Sequence, residues 1–446
     1  MMTVQTDQST RPTVAAESKA EAEVSVAPSH WLREYIRNLR SISVAARWYL
    51  IGSFLVGLAW LTFMLLFNLY MKERGFSETV IGRILSAQSF GTVAMAIPGA
   101  LLVSRVSPRI LLILSSLGVA AGFALQVRSD GADAILAAAF AAGAMLAFSR
   151  VTSSPFLMMY SSPAERAHVF SLGFAAMLGA GLVAHFGAGT LHRALTAPAG
   201  SSVQAYRWVL WIGSASAAMA VFAYAKIPSA VVGRRSLRVP WRQYWSTRGR
   251  LLFRLTFPFF LVGLGAGLII PFMNLYFRDR FGLPTQTIGI YYGFVQLSMI
   301  IGVMIGPELA RRYGMVRTIV ATELASIPFM LVLAFSRNLP LVTAAFLCRG
   351  GLMNLGVPIT NNYMMERVGE SDRALANSWS MVAWTLSWAL TAALGGWMIE
   401  RWGYEVPLLL ACGLYIAASW VYWFYFANFE IYAGRSAVGV VRPGDE

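Results

Sequence analysis

Acidic side chains are scarce in this chain: 21 Asp and Glu stand against 36 Lys and Arg, and charged residues make up only 13% of 446. So little charge beside 57% hydrophobic residues excludes a chain of ordinary soluble domains. The two cysteines, Cys348 and Cys412, lie far apart and inside apolar stretches, which excludes a disulfide framework and leaves them as small core residues. The four histidines fall at no metal-ligand spacing, so neither a metal nor another cofactor is expected. The chain also lacks a Gly-rich phosphate loop ending in Lys and Ser/Thr, and a Ser-His-Asp arrangement on a plausible loop. An ATP-driven pump or a hydrolase would be without its machinery, and no enzyme is expected. No cleavable signal peptide is visible, since the first apolar run begins near Tyr49; the first helix is expected to act as the insertion signal.

What the chain has is long apolar runs. Bounded by charge, Gly or Pro, they predict helices over 48–71, 80–103, 108–127, 134–157, 168–190 and 207–226, then over 252–277, 286–309, 316–335, 340–363, 374–397 and 405–428. Each is near the roughly 20 residues that cross a hydrocarbon core of about 30 Å. Twelve spans put both termini on one side. Loops on that side carry 24 of the 36 Lys and Arg, the opposite loops carry 10, and two lie within helices. By the positive-inside rule the termini are expected to be cytoplasmic, and the expected location is the cell (inner) membrane, as a multi-pass protein. The net charge of +15 is therefore read as topology control; with no basic, aromatic-interleaved patch, no nucleic-acid partner is expected.

The apolar pattern is duplicated. FLVGLAWLTFMLLFNLYMKER, from Phe54 to Arg74, returns 206 residues later as FLVGLGAGLIIPFMNLYFRDR, from Phe260 to Arg280. Ile81-Gly82 then matches Ile288-Gly289, Gly99 matches Gly306, and Tyr160 with Glu165-Arg166-Ala167 matches Tyr363 with Asp372-Arg373-Ala374. Paired halves of this kind mark secondary transporters, whose substrate site lies between the halves near the bilayer midplane.

The division that follows is a cytoplasmic tail (1–46), a six-helix bundle (47–226), a basic linker (227–250), a second six-helix bundle (251–429) and a cytoplasmic tail (430–446). Residues 1–28 read as a disordered tail. Trp31, Leu32, Tyr35, Ile36 and Leu39, with Arg33, Arg37 and Arg40 between them, predict either an amphipathic helix over 30–40 on the anionic membrane surface or a solvated, weakly helical stretch. Anionic lipid headgroups at the cytoplasmic face are expected partners of the linker arginines.

Between the second and third helices of each half lies a basic turn: Leu102-Val103-Ser104-Arg105 in one, Leu309-Ala310-Arg311-Arg312-Tyr313-Gly314 in the other. These loops resemble the signature of the major facilitator superfamily, and the resemblance extends over about 380 residues. It implies an all-α membrane fold of twelve helices in two pseudo-symmetric six-helix bundles, working by alternating access on a small-molecule substrate, as a monomer. Ser104, Arg105, Arg311 and Arg312 are gating candidates; the first half keeps the signature's Leu102 and Arg105, while both copies depart from the family pattern at its acidic position, where Ser104 and Arg311 stand.

Charged side chains inside a span each cost about 2.5–3.5 kcal/mol at the bilayer centre, so each needs a reason. Arg349, about ten residues into the tenth helix, is the first substrate-binding candidate; the alternative is a structural Arg tied to backbone carbonyls near Pro358. Arg150 in the fourth helix is the second. Gln88, Gln296 and Asn354 are candidates for a polar lining, and Trp60, with Trp379, Trp384 and Trp388, for an aromatic one. Asn68 and Asn274, at equivalent places in the repeated segment, are candidates for a gate or for structural pairing. His185 reads as a packed neutral imidazole, Glu323 as structural, and glycines 181, 187, 189, 289, 293, 302 and 306 as packing devices.

These residues favour transport of an anionic or amphipathic molecule. Efflux of lipophilic compounds into an adaptable Met- and aromatic-rich pocket is the alternative, followed by a transporter-like sensor without flux.

Overall fold

In the computed structural model the described residues are 42–103, 105–161, 166–228, 241–368 and 373–438. All their regular structure is helical, and twelve helices are long and apolar enough to cross a membrane. They are α1 (Val44–Glu73), α2 (Glu78–Val103), α3 (Pro108–Arg128), α4 (Ala132–Met159), α5 (Arg166–Ala199), α6 (Ser202–Ala225), α7 (Trp241–Phe281), α8 (Thr285–Tyr313), α9 (Met315–Phe335), α10 (Leu339–Arg367), α11 (Arg373–Trp402) and α12 (Glu405–Val438). The expected amphipathic segment 30–40, Ser104, linker residues 229–240 and tail residues 439–446 lie outside the described residues.

The helices run longer than their apolar cores, because the backbone hydrogen-bond ladder continues past the hydrocarbon edge into polar sequence. The seventh differs from the continuous helix expected over 252–277. It stops at Ile269, passes through a 3-10 turn at Ile270–Phe272 and resumes at Met273–Phe281. Pro271 is the cause: it lacks an N–H and its ring crowds the carbonyl four residues earlier. Gly282 ends α7 in the left-handed conformation at φ 64°, and Gly314 makes the α8–α9 turn at φ 91°; both angles favour glycine.

Two six-helix bundles result. In the first, α1 packs on α5 and α6, and α4 on α2 and α3; in the second, α7 packs on α11 and α12, and α10 on α8 and α9. The same device joins equivalent pairs. A Cβ on Gly143 would lie 1.8 Å from the Gln88 carbonyl oxygen, and one on Gly302 would lie 2.3 Å from that of Gly351, so α2/α4 and α8/α10 cross backbone to backbone.

The bundles meet along α2/α11 and α5/α8. A Cβ on Gly82 would lie 2.5 Å from the Ala392 oxygen, and one on Gly289 2.6 Å from the His185 oxygen. Of the other glycines expected to pack, Gly181 meets the Gln296 side chain, Gly189 the Thr285 backbone and Gly293 the Phe186 ring. Gly187 departs from the expectation: no atom lies within 4 Å of its Cβ position, which borders a cleft of about 700 Å³ between α1, α5 and α6, lined by Leu58, Thr62, Ala184, Leu191 and Gly213.

Polar bonds across the bundles collect in the half of the molecule away from the termini, called here the far half. Arg278 on α7 pairs with Glu73 on α1 at 2.6 Å, the Thr79 amide donates to Glu400 at 3.1 Å and the Ala393 amide to Ser86 at 2.9 Å. Arg193 donates to Gln286, and Tyr206 shares a hydrogen bond with Thr285. In the terminal half, Ser154 and Met158 on α4 are exposed, as are Val357 and Asn361 at the equivalent positions of α10. The molecule is shut at its far end and parted toward the termini.

Candidate functional site

Among the described residues, with the apolar membrane-crossing portions of α7 and α12 taken as Gly249–Phe281 and Glu405–Phe426, only three formally charged side chains lie more than six residues from both ends of a span: Arg150, Glu323 and Arg349. Their surroundings differ.

Arg349 is buried, 6% exposed, and points into its own bundle. Its Nη2 donates to the hydroxyl of Tyr415 on α12 at 2.9 Å, with the guanidinium 5.8 Å from that ring, while its Nε is buried without a partner. Tyr415 is itself fully buried, and a Cβ on Gly265 of α7 would lie 2.7 Å from it. The sequence register gives the reason: matching Tyr160 with Tyr363 sets Arg349 opposite Leu146, a buried core residue of the first bundle. Glu323 on α9 accepts a hydrogen bond from Ser419 of α12 at 2.7 Å, one turn from Tyr415. Two ionisable side chains of the second bundle, the buried Arg349 and the partly exposed Glu323, thus each bond to a residue of α12.

Arg150 has no such arrangement. Its guanidinium makes no hydrogen bond or ion pair with a described residue and lies 5.5 Å from the ring of Trp60, at mid-depth of α1. A cation over an indole face gains about 0.5–2 kcal/mol, which leaves the N–H donors of the guanidinium edge free for an acceptor. One turn toward the terminus is the exposed Ser154. In the same register Arg150 matches Met353, so the positive charge belongs to one bundle alone.

The structure therefore brings Arg150 and Trp60 together and holds Arg349 apart from them, on α12. The amides of Gln88 and Gln296 make no hydrogen bond with a described residue; Gln296 lies against Gly181 at the α5/α8 contact. Asn354 donates to the Gly350 carbonyl of its own helix at 2.9 Å. Trp384 packs 5.0 Å from Phe259 and 6.0 Å from Trp388, in the α7/α11 contact. His185 is buried, its ring edge-on to Tyr292 of the other bundle at 5.5 Å.

Asn68 and Asn274 sit on the α1/α7 contact. Asn68 Nδ2 donates to the Pro271 carbonyl at 2.6 Å, and Asn274 Nδ2 donates to the Leu65 carbonyl at 2.7 Å. Of the terminal-side gating candidates, Arg105 is exposed, and Arg311 and Arg312 pair with Glu308 of their own helix at 2.6 and 2.5 Å. Among the described residues no group of three His, Cys, Asp or Glu side chains is placed to hold a metal ion.

Sequence reasoning missed Tyr415 and Ser419, ordinary-looking residues of an apolar helix, and the Glu73–Arg278 pair, each partner of which reads alone as an interfacial charge.

The model of the Major Facilitator Superfamily matches residues 49–391 and 318–439. No curated protein sequence matches the chain significantly. Among solved structures, that of the nucleoside transporter NupG aligns with a TM-score of 0.67 at 15% identity, covering 86% of this chain and 99% of the other. A bacterial homolog of the human lysosomal transporter Spinster, inward-facing and occupied, gives 0.71 at 12% identity over 85% and 95% of the two chains. The human organic anion transporter MFSD10 gives 0.60 at 16% identity over 85% and 99%.

Proposed function

The chain belongs to the Major Facilitator Superfamily, and from that premise we propose that it moves a small organic anion across the cell membrane by alternating access, with Arg150 as the anion's anchor. The carrying observation is the state of Arg150: a deep guanidinium with an aromatic platform and no acceptor among the described residues. An unpaired cation at that depth is costly, and a carboxylate, sulfonate or phosphate seated on it would satisfy its paired N–H donors with bidentate geometry. Trp60 holds the guanidinium and offers a face to the apolar part of the substrate. The far-end contacts support a cycle in which α1/α7, α2/α11 and α5/α8 part as the terminal half closes.

In this reading the termini are cytoplasmic, as the basic loops favour, so the conformation described is open to the cytoplasm. Exposed arginines at that mouth, Arg105, Arg311, Arg312 and Arg317, add positive potential for an approaching anion and for lipid headgroups. The protein acts as a monomer.

The test is uptake and counterflow in proteoliposomes with a panel of carboxylates, sulfonates and phosphate esters set against neutral sugars and nucleosides. Arg150→Gln is expected to lower uptake of the transported anion at least about tenfold, the loss of one charge-assisted pair. Undiminished anion uptake in that variant, or transport confined to neutral compounds, overturns the reading.

One observation favours a second reading, extrusion of lipophilic compounds: the apolar cleft of about 700 Å³ between α1, α5 and α6. Transport of a neutral dye, blocked by Gly187→Trp and indifferent to Arg150→Gln, would select it.

A further inference from the structure

Arg150 is not the only polar group that α4 presents at this depth. Arg150, Val151, Ser154, Pro155 and Met158 share one face of the helix, and the last three are exposed. Contacts on other faces fix how α4 is turned. The buried hydroxyl of Tyr49 on α1 donates to Ser153 at 2.6 Å, and a Cβ on Gly99 of α2 would lie 3.4 Å from the Phe148 ring. With Ser153 engaged on α1, the neighbouring Ser154 hydroxyl makes no hydrogen bond with a described residue.

Pro155 alters the backbone of the same face. It has no N–H, so the carbonyl of Val151, four residues earlier, loses the donor that the helix ladder would bring. No side chain of a described residue replaces that donor. The Val151 oxygen, the Ser154 hydroxyl and the Arg150 backbone thus lie within about one turn, or about 6 Å of helix rise. Two neutral groups able to accept a hydrogen bond stand beside a cation that only donates.

The proline by itself is a property of the duplicated fold. In the register that matches Tyr160 with Tyr363, Pro155 falls on Pro358, which frees the Asn354 carbonyl of α10 in the same way. The neighbours differ. Where α4 has Arg150 and Ser154, α10 has Met353 and Val357. Of the two freed carbonyls, the one in the first bundle is therefore set beside a cation and a hydroxyl.

The charges nearby decide which donor fits that carbonyl. An ammonium would put a second positive charge next to Arg150, and among the described residues the first bundle holds no carboxylate deep in a span to offset it. A hydroxyl adds no charge. It donates to the Val151 oxygen and accepts from Ser154.

We propose that the substrate is a hydroxy acid, its acid group on Arg150 and its hydroxyl, on the carbon beside the acid, between the Val151 carbonyl and Ser154. The proposal rests on the anion reading and narrows it.

Matched acids test the two separately. Hydrocinnamate, phenyllactate and phenylalanine share one skeleton and differ in the group beside the acid; propionate, lactate and alanine repeat the series without the ring. Uptake of each by the full-length protein in proteoliposomes is expressed as a ratio to the unsubstituted acid in the same preparation. The hydroxy acid of at least one series is expected to be preferred about fivefold or more, the effect of one hydrogen bond, and the amino acid not at all. Pro155→Ala returns an N–H to the Val151 carbonyl and Ser154→Ala removes the hydroxyl; each is expected to lower that preference by about threefold or more. Because every ratio is taken within one variant, a changed helix bend or folded amount cancels. Arg150→Gln is expected to lower hydroxy and unsubstituted acids together. Arg150-dependent uptake without a hydroxy preference, preference for the amino acid, or a hydroxy preference that neither Pro155→Ala nor Ser154→Ala lowers overturns the proposal and leaves the anion reading standing. Uptake of no acid in either series overturns the proposal, and acid uptake that Arg150→Gln does not lower overturns both.

Discussion

Asn68 and Asn274 clasp each other's helices: each amide donates to a carbonyl that lies three residues before the other asparagine, Pro271 for Asn68 and Leu65 for Asn274. The pseudo-two-fold of the duplicated chain becomes a physical contact here, with both bonds buried. A carboxamide that lost its partner at this depth would be left unsatisfied on both sides, which makes the clasp specific to the state with a closed far end.

Breaking it is therefore expected to favour the state with an open far end. Asn68→Ala and Asn274→Ala each remove one buried hydrogen bond between the bundles, worth about 1 kcal/mol, or about a fivefold change in population; Asn274→Ala also removes the bond its Oδ1 accepts from the Leu275 amide within α7. Spin labels at Arg128→Cys and Arg337→Cys, at the far ends of α3 and after α9, measure it in a background free of the native cysteines. An unchanged distance distribution in both variants would assign the asparagines no part in closure.

Glycines of similar crowding are expected to behave differently according to where they lie. Gly143 meets the Gln88 backbone within one bundle, in every state, so Gly143→Ala is expected to cost about 1–3 kcal/mol and lower Tm. Gly82 meets Ala392 across the bundles, so Gly82→Ala is expected to spare folding and widen the far end. Thermal unfolding and the same spin-label pair separate the two effects; equal loss of Tm in both variants contradicts the distinction.

Arg150→Lys retains the charge and loses the planar fork. If the substrate acid is held by two parallel N–H donors, lysine is expected to recover only part of the uptake lost in Arg150→Gln, mainly as a raised KM. Full recovery would mean that charge alone is recognised.

Arg349→Gln is expected to act first on stability. It breaks a buried charge-assisted bond to Tyr415, worth about 1.5–3 kcal/mol, and should lower Tm and folded yield. Uptake per folded molecule should fall far less than in Arg150→Gln. Wild-type Tm with a raised KM would place Arg349 at the substrate instead.

Much of this protein is determined by the sequence alone, because length and hydropathy along one dimension decide how many times a chain crosses a bilayer. Twelve spans, the duplication and the fold class follow from the apolar runs and the repeated segment around Asn68 and Asn274. Even the inward placement of Arg349 had a trace there, in the register that sets it opposite Leu146. What the sequence leaves open is the rotation of each helix about its axis. A span that is apolar on nearly every side has little amphipathic moment to orient it, so Arg150 and Arg349 read alike as deep arginines. Only tertiary packing decided between them. The backbone crossings at Gly143 and Gly302 fix how α4 and α10 are turned, and those turns send Arg349 to Tyr415 and leave Arg150 over Trp60 with no acceptor among the described residues.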